Sequence, residues 1–172
     1  MAEPSTAVRR LLQSMPKAEL HLHLDGCLRP VTALELAAQH DIDAPRTYFG
    51  IFDAMVAAEH PGSQAELLQS FALPISLMQT AEALHRIAAE LVEDKAADRV
   101  RYMEIKWAPA VHLEAGLTLD EVIWAVATGA REAGDRLGVV VTLTAVAMRS
   151  HDVATNVAVA EAAVRNCTLG VT

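Results

Sequence analysis

Polar and apolar residues alternate strictly over the stretch ELHLHLD, residues 19 to 25. A period of two predicts a β-strand, placed over residues 18–24, with Leu20, Leu22 and Leu24 on one face. Glu19, His21, His23 and Asp25 then share the other face. Asp25-Gly26 reads as the stop. Ahead of it, residues 5–14 read as a short helix capped by Ser5 or Thr6 and broken at MPK. Residues 28–41 read as a helix with Pro30 near its first turn and Thr32 as its cap. Pro45, Gly50, Pro61 and Gly62 punctuate residues 43–62, with a short helix expected over 51–59. From 64 to 97 apolar residues recur at helical spacing (Leu67, Leu68, Phe71, then Leu84, Ile87, Ala88, Leu91), and Pro74 is expected to split them into two helices.

A second strand is predicted over 100–108, with Met103, Ile105 and Trp107 on one face and Tyr102, Glu104 and Lys106 on the other. Residues 118–136 form a helix opened by the capping-box pattern TLDE. A β-rich apolar strand follows over 139–148, then a helix over 152–166. The closing LGVT starts like a fourth strand. Helices alternating with nearly continuous apolar strands predict a parallel sheet covered on both sides. An open doubly wound sheet and a (β/α) barrel both fit, and four strands are too few to close an eight-stranded barrel.

Composition narrows the function classes. Of the 172 residues, 52% are hydrophobic, enough for one core, yet no run of about 18 apolar residues occurs, so no transmembrane helix is expected. Residues 1–15 are amphipathic and lack the apolar core of a secretion signal. A net charge of −8 without a Lys/Arg cluster argues against a nucleic-acid or anionic-membrane partner. Cys27 and Cys167 lie far apart and outside any CxxC, which fits reduced thiols and a cytoplasmic location.

The histidine pair is the candidate chemistry. Residues two apart on a strand lie on one face, about 7 Å apart along the backbone, so His21 and His23 can tilt toward one ion. Neutral imidazole suits zinc, and the C-terminal end of a parallel strand is where barrel active sites sit. A catalytic zinc takes about three protein ligands, so others must come from elsewhere. The plainer reading stays open: two strand histidines bonded to carbonyls or to Glu19. Likewise Asp25 reads, by itself, as a turn residue before Gly26. Glu104 and Lys106 read as a structural pair and His112 as loop structure. His40, His60, His85 and His151 read as solvated.

The stretch MPKAELHLHLDGCLRP, residues 15–30, closely resembles the opening motif of the adenosine deaminase family, within the metal-dependent amidohydrolases. Pro16-Lys17, Glu19-Leu20-His21, His23-Leu24-Asp25-Gly26 and Arg29-Pro30 fall in register. RYMEIKWAPAVH (101–112) and AVAMRS (145–150) resemble the family's second- and third-strand blocks. GLTLDEV (116–122) and residues 77–100 resemble connecting helices of bacterial members.

The resemblance implies the first four strands of a (β/α)8 TIM-type barrel, with an extended helical insertion after strand 1. Residues 1–172 would be the N-terminal half of a single deaminase domain. It implies one zinc per full-length subunit, with His21 and His23 as ligands, and a purine nucleoside as small-molecule partner. Asp25 would bond a ribose hydroxyl, and Asp rather than Glu there favours a nucleoside over a free base. Leu68, Phe71 and Met148 fall where the family lines its purine pocket, although each also fits plain core, and Glu19 would orient its neighbours. The implied reaction is hydrolytic deamination of adenosine or 2'-deoxyadenosine to the inosine product and ammonia. Adenine or another 6-aminopurine is the alternative substrate. The family's third histidine, its HAGE-like glutamate and its late aspartate pair fall C-terminal to Thr172, and neither HAGE nor DDP occurs here. A non-catalytic half-barrel binding or assembly module is the alternative of another class.

Overall fold

The computed structural model describes residues 5–56, 62–63 and 68–172. Three parallel strands, β1 (Lys17–His23), β2 (Val100–Trp107) and β3 (Val140–Ala145), lie in sequence order. A single parallel bridge, Leu143 to Val171, occupies the fourth strand position. The Thr172 amide donates to Leu143 (2.8 Å) and the Ala145 amide to Thr172 (2.9 Å). The strand expected at LGVT is therefore present as its first pairing residues. Strands in sequence order joined by helices make this the opening part of a (β/α) barrel.

Helices α1 (Thr6–Ser14), α2 (Pro30–Gln39), α3 (Tyr48–Met55), α4 (Ala72–Leu77), α5 (Ala81–Ala97), α6 (Leu119–Leu137) and α7 (Val153–Arg165) connect and flank the strands. Local chemistry sets their ends. Ser5, Thr47, Thr80 and Asp152 each accept an amide of the first turn of α1, α3, α5 and α7. The predicted capping box is complete at α6: Thr118 Oγ1 accepts the Glu121 amide and Glu121 accepts the Thr118 amide. Gly138 ends α6 at φ 66°, a conformation that favours glycine.

Several boundaries differ from the sequence reading. Pro74 directly follows the expected split, since helical residues 68–69 give way to a turn at 70–71 before α4 begins. It lies in the first turn of α4, where its missing N–H would have had no partner anyway. A second break comes at Met78–Thr80, and residues 64–67, which include Leu67, lie outside the described residues, as does His60. Thr32 is no cap. It is buried inside α2, and its hydroxyl donates to Glu90 Oε2 at 2.6 Å. Strand β3 ends at Ala145 rather than 148, and α3 spans Tyr48–Met55.

The sheet packs its apolar face on the helices. Leu22, Ile105, Leu143 and Val171 align across the sheet and join the core with Met103 and Trp107. The opposite face, expected to be covered, is open among the described residues: His23, Lys106 and Thr144 align there. Helix α5 packs closely on α6 because Gly129 faces the His85 backbone, leaving no room for a Cβ. Arg29 ties the start of α2 to α5 through Asp94 (2.7 Å) and Glu93 (3.2 Å), and Arg86 bridges Glu90 and Glu35.

Candidate metal and nucleoside site

The alternation that suggested the site is interrupted within the strand. Glu19 pairs with Met103 and Leu22 with Ile105, so three steps along β1 match two along β2. That bulge inverts the side-chain parity. Glu19 consequently shares the face of Met103, where its carboxylate lies 3.6 Å from Lys95 of α5, and it does not reach the histidines. The same shift leaves Leu20 59% exposed while Leu22 and Leu24 are buried.

His21 and His23 do come together. Their Nε2 atoms are 3.0 Å apart, with ring centroids at 5.0 Å and planes tilted by 44°. Two nitrogens held by one tetrahedral zinc at about 2.0–2.1 Å are separated by roughly 3.3 Å. The pair therefore fits two positions of such an ion. Among the described residues no group of three His, Cys, Asp or Glu side chains could hold a metal. His21 Nδ1 meets Lys106 Nζ at 3.2 Å. Sequence reading paired Lys106 with Glu104. In the structure Lys106 meets His21 instead, and Glu104 accepts from the Tyr102 hydroxyl at 3.0 Å. The clue was available in the period-two face that Lys106 shares with Glu104 on the strand next to β1.

Asp25 lies in a 3₁₀ turn, Leu24–Gly26, just past the end of β1. Burial pushes its carboxyl up, and the nearby His23 opposes that shift. A Cβ at Gly26 would meet the Phe71 ring at 3.4 Å and His23 Cβ at 4.0 Å, so Phe71 covers this turn beside the histidines. Leu68 precedes it and is 55% exposed. Met148 lies in the loop after β3 rather than on the strand. Its carbonyl accepts from Asn156 of α7 (2.9 Å) and from the His151 amide (3.1 Å). The His pair, Asp25 and Phe71 thus gather at the C-terminal end of β1, with Met148 on the loop that leaves β3.

His112 ends the 3₁₀ turn Pro109–His112 after β2 and is fully buried, where the sequence suggested loop structure. Among the described residues neither ring nitrogen has a hydrogen-bond partner of good geometry. Burial pulls its pKa down to about 4, opposed only by the Met78 backbone. His85 is not simply solvated: its Nε2 lies 3.2 Å from Glu132. No described helix is long and apolar enough to cross a membrane.

The sequence model of the adenosine deaminase family matches residues 16–172. An adenosine deaminase of Mycobacterium sp. (strain KMS) is 43% identical over 160 residues, covering 83% of this chain and 42% of that protein. One from Clostridium perfringens (strain 13) is 40% identical over 143 residues, covering 83% and 43%. The chain thus spans less than half the length of these curated relatives. Among solved structures, a zinc-bound amidohydrolase from Burkhoderia ambifaria superposes with a TM-score of 0.85 at 27% identity, covering 99% of this chain and 46% of that one. The N6-mAMP deaminase of Arabidopsis superposes at 0.77 and 26% identity, covering 95% and 50%. The adenine deaminase of Arthrobacter aurescens does so at 0.66 and 26% identity, covering 76% and 39%.

Proposed function

This chain belongs to the adenosine deaminase family, and on that premise we propose that residues 1–172 form the N-terminal half of a zinc-dependent adenosine aminohydrolase. The observation that carries the reading is the convergence of His21 and His23 Nε2 atoms at 3.0 Å on the open face of the sheet. In this reading the two imidazoles occupy two ligand positions, and the remaining ligand and the general acid come from residues C-terminal to Thr172. Zinc, when bound, supplies a hydroxide nucleophile near neutral pH for attack at purine C6.

The chain's own residues bind and orient the nucleoside. Asp25 accepts a hydrogen bond from a ribose hydroxyl. Phe71, lying over Gly26, excludes water from one side of the purine, with Leu68 and Met148 completing the apolar lining. A cytoplasmic location fits the two free cysteines.

Adenine and modified 6-aminopurines form the second reading, favoured by the adenine deaminase and N6-mAMP deaminase among the solved relatives. Both curated relatives compared above are adenosine deaminases and are more nearly identical. A substrate panel on the full-length protein separates the two. Adenosine and 2'-deoxyadenosine are expected to turn over fastest. His21→Ala and His23→Ala are each expected to lower zinc content and abolish turnover. Faster hydrolysis of free adenine overturns the nucleoside assignment, and unchanged zinc content in both variants removes the pair as ligands.

A further inference from the structure

The partner of a metal-ligating histidine's second nitrogen is ordinarily an acceptor, a carboxylate or carbonyl that takes the Nδ1–H and leaves the Nε2 lone pair free for the metal. At His21 the partner is the opposite kind. A lysine ammonium has three N–H groups and no lone pair to offer. With Nζ 3.2 Å from His21 Nδ1, the ring nitrogen must be the acceptor. Neutral imidazole carries one hydrogen, so it then sits on Nε2, the atom aimed at His23. The 3.0 Å contact between the Nε2 atoms becomes an ordinary hydrogen bond, donated by His21 and accepted by His23. Lys106, His21 and His23 form one directed chain across β2 and β1, and it is satisfied without an ion.

We propose that Lys106 competes with the metal for His21, so that loading the site requires the ammonium to withdraw from Nδ1. This rests on the reading of His21 and His23 as metal ligands. Two effects act in the same direction. The tautomer Lys106 favours places a hydrogen where the metal needs a lone pair. The ammonium also adds a positive charge on the far side of the ring from an incoming cation. Lys106 is free to withdraw in one respect: among the described residues it makes no ion pair with Glu104, two positions back on the same strand.

The test is zinc affinity at one fixed pH, measured on the full chain by competition with a chromophoric chelator. The proteins are wild type, Lys106→Met, Lys106→Gln and His21→Ala. Both Lys106 variants are expected to bind zinc about tenfold more tightly, the usual scale for a change of partner behind a metal ligand. His21→Ala is expected to lose the site. Unchanged or weaker binding in the Lys106 variants, with His21→Ala still defective, overturns the competition and leaves the ligand pair intact. Binding by His21→Ala equal to wild type overturns the ligand pair, and the competition with it. A second readout needs no variant: the nitrogen-15 histidine spectrum of the metal-free wild type is expected to show His21 with its hydrogen on Nε2. A hydrogen on Nδ1 overturns the proposal.

Discussion

At the scale of single residues, His112 makes the sharpest solution prediction. Its pKa falls from 6.5 to about 4 because the charged ring cannot be solvated where it lies. On acidification the unfolded chain takes up this proton near pH 6.5, whereas the folded chain resists until about pH 4. Within that window the unfolded state binds more protons, so stability rises with pH and is lost as pH falls. The loss amounts to about 3 kcal/mol across the whole window and about 2 kcal/mol by pH 5. Urea titrations at pH 7 and pH 5 check it: His112→Phe is expected to lose about 2 kcal/mol less than wild type between the two. Parallel losses would show that the buried ring does not stay neutral. Nothing local announces this burial, since a histidine five residues beyond a strand is equally compatible with a solvated loop. His21 and His23 were legible because the strand period alone puts them together. Lys106 was legible as to face and not as to partner, because the β1–β2 register that selects His21 over Glu104 is a tertiary fact.

Among the elements, the register of β1 was the main thing the alternation could not reveal. A period of two predicts a shared face for Glu19 and His21 only in a strand without a bulge, and the bulge becomes visible only when β2 is laid alongside. The helix caps, by contrast, are local chemistry, and TLDE announced the start of α6 correctly. Gly129 carries a prediction at this scale. Alanine normally favours a helix interior over glycine by about 1 kcal/mol. Here a Cβ would run into the His85 carbonyl oxygen, and the obstacle is backbone of α5, which cannot rotate away. Gly129→Ala is therefore expected to destabilise the fold by about 2–3 kcal/mol, as the two helices are pushed apart. A urea midpoint equal to or above that of wild type would mean that the α5–α6 contact accommodates a methyl group.

For the whole molecule, the decisive feature is a sheet with unequal faces. One side is sealed by helices. The other presents His23, Lys106 and Thr144 in a row across three strands, with Tyr102, Glu104 and Thr142 also on it. Parallel sheets are ordinarily covered on both faces, and in a closed barrel the inner face is covered by the other strands. In the half-barrel reading the polar row is an interior surface chemically suited to a site, and it holds two candidate zinc ligands where catalysis calls for about three. Relatives of which this chain covers 42% supply the context in which that count could be completed. It follows that the 172-residue chain by itself, supplied with zinc, is expected to release no ammonia from adenosine above a buffer blank. A protein carrying the further length of its relatives is expected to deaminate adenosine, followed by the absorbance change from adenosine to inosine. Turnover by the 172 residues alone would show that two histidines and the open face suffice. Failure of both proteins, with zinc bound, would overturn the deaminase reading and favour binding or assembly without catalysis.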